Sequence, residues 1–447
     1  MLIEDIRFFD IFLSLTYSLI LLGIANLTMP KDALHKKYYI KFLVLKVLFA
    51  VSFVVLHMYV YKGGDTFLYY LGSTYIADLI IQTPSNFFHY LFGSYENFLS
   101  APFVRSINMT HSFTDTSVLN QAQLGVLISL VSFRSYLTAS IVYSLLTAHG
   151  IWSIFRVISK MYPKATKHLA FGILYYPTIG IWGSGILKDP LTLASVGWMF
   201  IAIYNLVERK KMTQSIILLL IAVLICFKLK PYVLYCFIPA MLLWLQGRMS
   251  QKINNSLVKY VVTPILIILL SVGGAFLLQQ VSSQAGKYSL DSVQEVAEGF
   301  HSWHTYLAEN RNQSGYSLGA VDFTAVGILQ KTPAALFVTF YRPFPFVDTR
   351  NFATFFEAIQ SFTLLILTFY IILRVGFLKF LKITFSNADV RAFLLFSIFL
   401  GVAVGLTSYN FGALSRYKIP CLPFFTSALI ILYHEGIKKK STIPRKR

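Results

Sequence analysis

The chain has 447 residues, of which 56% are hydrophobic and 16% aromatic, while only 13% are charged. These proportions exclude an ordinary soluble globular domain and indicate an integral membrane protein. The formal net charge of +20 would suggest nucleic-acid binding in a soluble protein, but here the basic residues cluster in short segments between apolar runs, where they report topology and not a nucleic-acid partner.

Apolar runs long enough to cross a bilayer recur along the chain. A bilayer core of ~30 Å requires about twenty apolar helical residues. The sequence therefore predicts an all-α polytopic membrane protein with about eleven transmembrane helices. The predicted spans cover residues 8–28, 40–61, 134–157, 168–186, 190–207, 213–229, 231–247, 257–279, 354–376, 391–409 and 418–434. Two closely connected pairs, 168–186 with 190–207 and 213–229 with 231–247, leave open whether each is one long or re-entrant element.

The lysine and arginine residues predict an orientation for these spans. With the N-terminus outside, the basic turns fall on one side, as the positive-inside rule requires. The other side carries two long outer (periplasmic) loops, 62–133 and 280–353, and interfacial helices are predicted in the first. We predict that residues 1–447 form a single membrane domain whose basic tail, 435–447, is cytoplasmic.

The stretch YKGGDTFLYY, residues 61–70, joins the end of the second predicted span to the first outer loop. Gly63 and Gly64 allow the backbone to bend where the second span ends. Asp65 then emerges at the predicted outer surface, where its carboxylate can accept a proton from an attacking hydroxyl as a general base. An ordinary solvated helix end explains the same residues, so both interpretations stay open.

Other predicted outer turns present lysines. Lys188 and Asp189 interrupt an apolar hairpin in IWGSGILKDPLTL, and charges buried there are costly unless they are paired or reach water. They indicate either a functional site or a structural ion pair. In CFKLKPYVLY, Lys230 is a candidate for phosphate binding, although it can equally extend to lipid headgroups.

Two arginines stand among prolines and aromatic residues at the mouths of late spans. Arg342 lies in FYRPFPFVDTR, and Arg416 lies with Lys418 in NFGALSRYKIPCLP. Such a setting suits bidentate binding of a phosphate by arginine, and an aromatic belt with snorkelling cations is the alternative. Asp189 and Glu96 are candidates for a second acid or for a contact with the acceptor.

The sequence predicts no structural metal, disulfide or bound cofactor. Cys226, Cys236 and Cys421 lie in or beside apolar segments without metal-ligand spacing, so we predict that they are buried. His301 and His304 can share a helical face but belong to no metal-binding motif. No nucleotide-binding or serine-hydrolase motif is present. Whether a divalent metal assists at the donor phosphate stays open.

Four motifs together carry a resemblance. The outer loop D-x-x-x-Y (Asp65, Tyr69), PTIGIWGSGILKDPL, YRPFPF and NFGALSRYKIPCLPF resemble those of bacterial multi-spanning glycosyltransferases of the GT-C type and related surface-polysaccharide polymerases. The resemblance implies a GT-C-like fold in the bacterial inner membrane, a polyprenyl-linked sugar donor and a glycan or lipid acceptor at the outer leaflet. It also implies a catalytic aspartate in the first large outer loop, a role that falls on Asp65.

The chain departs from that family in two respects. One more span precedes Asp65 than is usual, and no large C-terminal soluble domain follows the last predicted span. The expected activity is inverting sugar transfer, with the carboxylate as base and Lys188, Lys230, Arg342, Arg416 and Lys418 binding the donor phosphate. A lipid-linked glycan flippase and a non-catalytic subunit of an envelope assembly are the alternatives.

Overall fold

The computed structural model describes residues 5–28, 32–99, 112–251, 314–319, 321–322, 324–350 and 352–437, together with isolated positions between 279 and 306. These residues form helices joined by turns, with one isolated antiparallel β-bridge between Gly315 and Asn410. Most of the predicted span 257–279, most of the second outer loop up to residue 313, His301, His304 and residues 438–447 lie outside the described residues.

The described helices are numbered in chain order. They are α1 Phe8–Leu27, α2 Ala33–Val55 with a π-helical end Leu56–Val60, α3 Asp65–Gln82, α4 Thr116–Val131, α5 Tyr136–Met161, α6 Pro177–Trp182, α7 Lys188–Val207, α8 Met212–Leu229, α9 Pro231–Gln251, α10 Ala325–Tyr341, α11 Phe352–Val375, α12 Phe377–Ser386, α13 Ala388–Thr407, α14 Phe411–Tyr417 and α15 Leu422–Ile437. Shorter helices occupy Phe87–Phe92, Glu96–Leu99 and Thr166–Leu169.

Many of these helices are long and apolar enough to cross a membrane. Within the described ranges there are eight, namely α1, α2, α5, α7, α8, α9, α11 and α13, and α14 with α15 adds a ninth if this pair, bent by 71°, is one span. The chain is therefore a multi-pass helical membrane protein.

The segment 168–186 is interrupted, whereas the sequence predicts one span there. A π-helical turn, Ala170–Leu174, ends before α6, and α6 begins at Pro177. Proline cannot donate a backbone hydrogen bond and disfavours helical geometry in the residue before it, so it starts a new helix here. Residues 183–187 after α6 are not helical.

The contacts divide the chain into two compact units, which we describe separately. Unit 1 comprises residues 1–157 and 174–234, and unit 2 comprises residues 158–173 and 235–447. In unit 1, α7 and α8 form a hairpin, and α3 packs along α4. In unit 2, α13 packs against both α10 and α15.

Two glycines bring α5 and α7 into backbone contact. A Cβ atom on Gly197 would lie 2.1 Å from the carbonyl oxygen of Gly150. Small residues allow helices to approach this closely in membranes, where packing drives their association. The middle of α7 is thereby held close to α5.

We expect Gly197→Ala to destabilise the protein by about 1–3 kcal/mol, because the added methyl group meets a backbone atom that cannot rotate away. Thermal unfolding of the purified protein in detergent measures the effect. Gly23→Ala is the matched control, since a Cβ atom on Gly23 in α1 meets nothing within 4 Å. Equal melting temperatures for the two variants would contradict the close packing of α5 and α7.

Candidate functional site

A lysine and a carboxylate meet at the start of α7 in unit 1. Lys188 and Asp189 are the first residues of the helix, and Leu187 at its N-cap offers no side-chain cap. The Nζ atom of Lys188 donates to the hydroxyl of Ser117 at 2.6 Å and lies 5.2 Å from the centre of the Tyr69 ring. The first amides of a helix carry partial positive charge, which adds to that of the lysine.

A buried ion pair lies next to Lys188. Lys230, just after α8, donates from Nζ to Asp189 Oδ1 at 2.5 Å. Asp189 is 0% exposed and Lys230 is 6% exposed. The attraction between the two charges offsets part of the cost of burying them. The sequence leaves open an ion pair between Lys188 and Asp189, whereas in the structure Asp189 pairs with Lys230 and Lys188 donates to Ser117. We call Lys188, Asp189, Lys230, Ser117 and Tyr69 the Lys188 cluster.

Asp65 lies on α3, four residues before Tyr69 of this cluster. It is the exposed first residue of the helix. Gly63 and Gly64 before it have φ values of 153° and 112°, which confirms the predicted glycine bend. Residues four apart share one helix face about 6 Å from each other, so Asp65 stands one turn beyond Tyr69. The ring of Tyr69 lies over Lys188.

A second feature of unit 1 is an apolar slot with a volume of about 360 Å³. Its lining residues are Leu124, Ile128, Tyr143, Leu146, His149, Leu191, Trp198, Leu218, Ile221 and Ile225. Leu146 and Ile221 are each 48% exposed, so the slot is open on the outside of the unit. A surface of this composition is suited to contact with hydrocarbon.

The apolar slot begins beside the Lys188 cluster. Tyr143 lines the slot and donates its hydroxyl to the carbonyl oxygen of Leu187 at 2.7 Å, immediately before Lys188. Gln121 donates to the same hydroxyl at 3.0 Å. Along α7 the slot runs from Leu191 to Trp198, which corresponds to about 10 Å of helix. The polar cluster and the apolar slot are therefore adjacent.

The same transition is visible on α4. Ser117, Gln121, Leu124 and Ile128 follow one another at helical spacing along one face of this helix. Ser117 contacts Lys188, Gln121 contacts Tyr143, and the last two line the slot. One helix face thus leads from the charged end to the apolar end.

The arginines and lysine predicted from the late motifs lie in unit 2. Arg342 donates from Nε to Asp348 Oδ2 at 2.9 Å and from Nη2 to Asp348 Oδ1, so a carboxylate already occupies both arms of its guanidinium fork. Lys418 is buried and donates to the carbonyl oxygen of Thr339 at 2.8 Å. Arg416 is half-buried, with its guanidinium 5.7 Å from the Tyr417 ring.

Of the predicted site residues in unit 1, the structure brings Lys188, Asp189 and Lys230 together, with Asp65 one turn beyond Tyr69. Glu96 lies on a short helix, exposed, and accepts a hydrogen bond from Ser94 at 3.3 Å. Sequence reasoning missed Ser117, Tyr143 and the apolar slot. No local pattern indicates that Ser117 meets a lysine 71 positions away.

All three cysteines are buried, as predicted. In the part of the chain that the structure describes, no group of three or more histidine, cysteine, aspartate or glutamate side chains is placed to hold a metal ion. Comparisons of the chain with family models, curated proteins and solved structures give no match.

Proposed function

We propose that the chain is a membrane glycosyltransferase that transfers a sugar or glycan from a polyprenyl phosphate or diphosphate to an acceptor hydroxyl. The observation that carries this proposal is the continuity between the Lys188 cluster and the apolar slot. A polyprenyl phosphate has the same two parts, a charged head and a long apolar tail. A water-soluble sugar nucleotide would leave the slot without a role.

The proposal retains a GT-C-like fold with about eleven spans, acting at the outer leaflet of a bacterial inner membrane. Its support is the sequence resemblance together with the positive-inside orientation, which assigns the turns at Arg209 to Lys211 and at Lys160 to the cytoplasmic side. Lys188 starts the helix that ends at the first of these turns. The Lys188 cluster then belongs to the outer half of the membrane.

The proposed reaction is a single displacement at the anomeric carbon. The acceptor hydroxyl loses its proton to the Asp65 carboxylate while its oxygen bonds to that carbon. The bond from the carbon to the donor phosphate oxygen breaks, and the electron pair leaves with the phosphate. One carboxylate suffices for inversion through an oxocarbenium-like transition state.

Charge on the departing phosphate needs a cation close by, and Lys188 is the half-buried cation of the cluster. Lys230 is neutralised by Asp189, so in this mechanism the pair holds the start of α7 in position. Arg342, whose fork binds Asp348, is not needed for this step.

A tryptophan in the apolar slot tests the lipid donor. We expect Ile221→Trp to lower the transfer rate from a long-chain polyprenyl-phosphate sugar by about tenfold or more, since loss of the lipid's burial costs about 0.8 kcal/mol for each CH₂ group. Transfer from a donor with a short prenyl chain is expected to change little. Initial rates with both donors, measured on the purified protein in detergent, give the comparison.

Leu224→Trp is the matched control, because Leu224 lies on the same helix, is 58% exposed and does not line the slot. A loss of rate with both donor lengths in Ile221→Trp would show general damage instead of a blocked tail site. Equal long-chain rates in Ile221→Trp and Leu224→Trp would remove the slot from donor binding.

One observation favours a second function, movement of a lipid-linked glycan across the membrane. Lys46 lies within α2, is 1% exposed and donates from Nζ to Gly183 O at 2.5 Å and to Ser184 Oγ at 2.6 Å. A buried ionisable side chain beside a helix break is typical of transporters. Transport of the labelled lipid in liposomes without acceptor, abolished by Lys46→Met, would favour the flippase over the transferase.

A further inference from the structure

Unit 2 contains a separate cavity of about 750 Å³. It is lined by Met161, Tyr162, Arg248, Lys379, Lys382, Ile383, Ser386, Asn387, Asp389 and Glu435. None of these residues belongs to the Lys188 cluster or to the apolar slot. They come from the ends of helices whose basic turns the positive-inside rule assigns to the cytoplasmic side. The orientation predicted from the sequence therefore assigns this cavity to the cytoplasmic leaflet.

One wall of the cavity is built around Asp389, which is 7% exposed. Arg248 donates from Nη2 to both carboxylate oxygens at 2.8 Å and from Nε to Oδ1 at 3.0 Å. The Tyr162 hydroxyl donates to Oδ2 at 2.7 Å, and the Trp244 indole donates to Oδ1 at 2.8 Å. Burial, with Asp389 beside it, raises the pKa of Tyr162, so its hydroxyl stays a donor. These contacts neutralise Asp389 and make the wall rigid.

A second part of the cavity lining comes from α12 and supplies cations. Lys379, Lys382, Ile383 and Ser386 line the cavity at helical spacing, so one face of α12 forms this wall. Lys379 donates to the carbonyl oxygen of Gly436 at the end of α15. Lys382 makes no hydrogen bond or ion pair with any residue that the structure describes.

The charges in the cavity favour an anion. The lining holds three positive side chains, Arg248, Lys379 and Lys382, and two negative ones, Asp389 and Glu435. The net charge of the lining is therefore one positive unit. Because Arg248 is ion-paired with Asp389, Lys379 and Lys382 are the cations that remain to bind a ligand. Glu435 is the remaining carboxylate of the lining. A monoanionic group fits this balance.

The other face of α12 indicates where that anion comes from. Phe377, Leu378 and Phe385 are 61%, 82% and 66% exposed. A short helix with an apolar face and a lysine face, at the end of membrane spans, is typical of a helix that lies in the membrane interface. Its apolar face then contacts acyl chains while its lysines reach the headgroup level on the cavity side.

We propose that this cavity binds the phosphate of an anionic phospholipid headgroup in the cytoplasmic leaflet, through Lys379 and Lys382 of α12. Cytoplasmic leaflets carry anionic lipids, and basic residues at their surface attract such headgroups. The bound lipid joins α12 to the end of α15 and to the Arg248 wall. It is distinct from the donor lipid of the proposed glycosyltransferase and does not depend on that function.

The test uses the full chain, purified and delipidated in detergent. Phosphatidylglycerol, phosphatidylcholine or inorganic phosphate is added, and binding is followed by native mass spectrometry and by the melting temperature. Wild type is expected to bind phosphatidylglycerol at least tenfold more tightly than phosphatidylcholine. The double variant Lys379→Gln/Lys382→Gln is expected to lose this preference. In the single variant Lys382→Gln, which keeps the Lys379 contact with Gly436, the preference is expected to fall by several-fold.

Lys210→Gln/Lys211→Gln is the matched control, because it removes the same charge from an exposed turn of unit 1. This control is expected to bind phosphatidylglycerol like wild type. An equal loss in the control and in the α12 variants would mean a non-specific charge effect and overturn the proposal. Inorganic phosphate that binds as tightly as the lipid, with the same dependence on Lys382, would assign the cavity to a soluble anion instead.

Discussion

Replacing Asp65 by asparagine is expected to lower sugar transfer by about 10²–10⁴-fold, the range that a general base contributes. Asparagine has nearly the same shape but cannot take the proton of the acceptor hydroxyl. Asp65 is exposed at the first position of α3, so the loss of its interaction with the helix dipole is expected to cost only about 0.3–1 kcal/mol. The measurement is the initial rate of transfer by the purified protein, with the melting temperature as a check on folding.

Asp322→Asn is the matched control for this variant. Asp322 is an exposed aspartate that accepts hydrogen bonds from Thr324, two residues away, so its replacement by an amide is expected to leave the transfer rate unchanged. A well-folded Asp65→Asn protein with full activity would remove Asp65 from the mechanism. The Lys188 cluster and the apolar slot would then remain as a lipid-phosphate site without an assigned base.

The sequence predicts the membrane helices well because hydrocarbon imposes a minimum length on each apolar run. The predicted spans 8–28 and 213–229 correspond to helices Phe8–Leu27 and Met212–Leu229. In 168–186 the apolar composition conceals a break at Pro177 and a non-helical stretch that contains Gly183 and Gly185. Composition averages over such residues, while the backbone responds to each proline and glycine separately.

The charged residues of the candidate site can be predicted from the sequence, but the side chains that they contact cannot. Charges that interrupt apolar runs are conspicuous, which is why Lys188, Asp189 and Lys230 stand out from the sequence. Their pairing depends on how α7, α8 and α4 pack, and a one-dimensional pattern contains no helix-packing angle. The slot was missed for the same reason, because residues such as Leu191 and Ile225 are indistinguishable in sequence from those that face lipid or the core.

The buried ion pair between Asp189 and Lys230 is expected to have the largest effect on stability. Asp189→Asn leaves the ammonium group of Lys230 buried without its counter-charge, a change that typically costs about 3–5 kcal/mol. The double variant Asp189→Asn/Lys230→Met removes that charge as well and is expected to recover most of the loss. Thermal unfolding of both proteins in detergent measures the difference.

Glu208→Gln provides the comparison with an exposed pair. Glu208 lies 3.7 Å from Lys210 at the other end of the α7–α8 hairpin, where solvent screens the charges, and its removal is expected to cost less than about 1 kcal/mol. If Asp189→Asn melts like wild type, the pair does not hold the start of α7 against the end of α8. If the double variant is as stable as wild type but transfers no sugar, Asp189 or Lys230 takes part in the reaction itself, because a purely structural pair would restore activity together with stability.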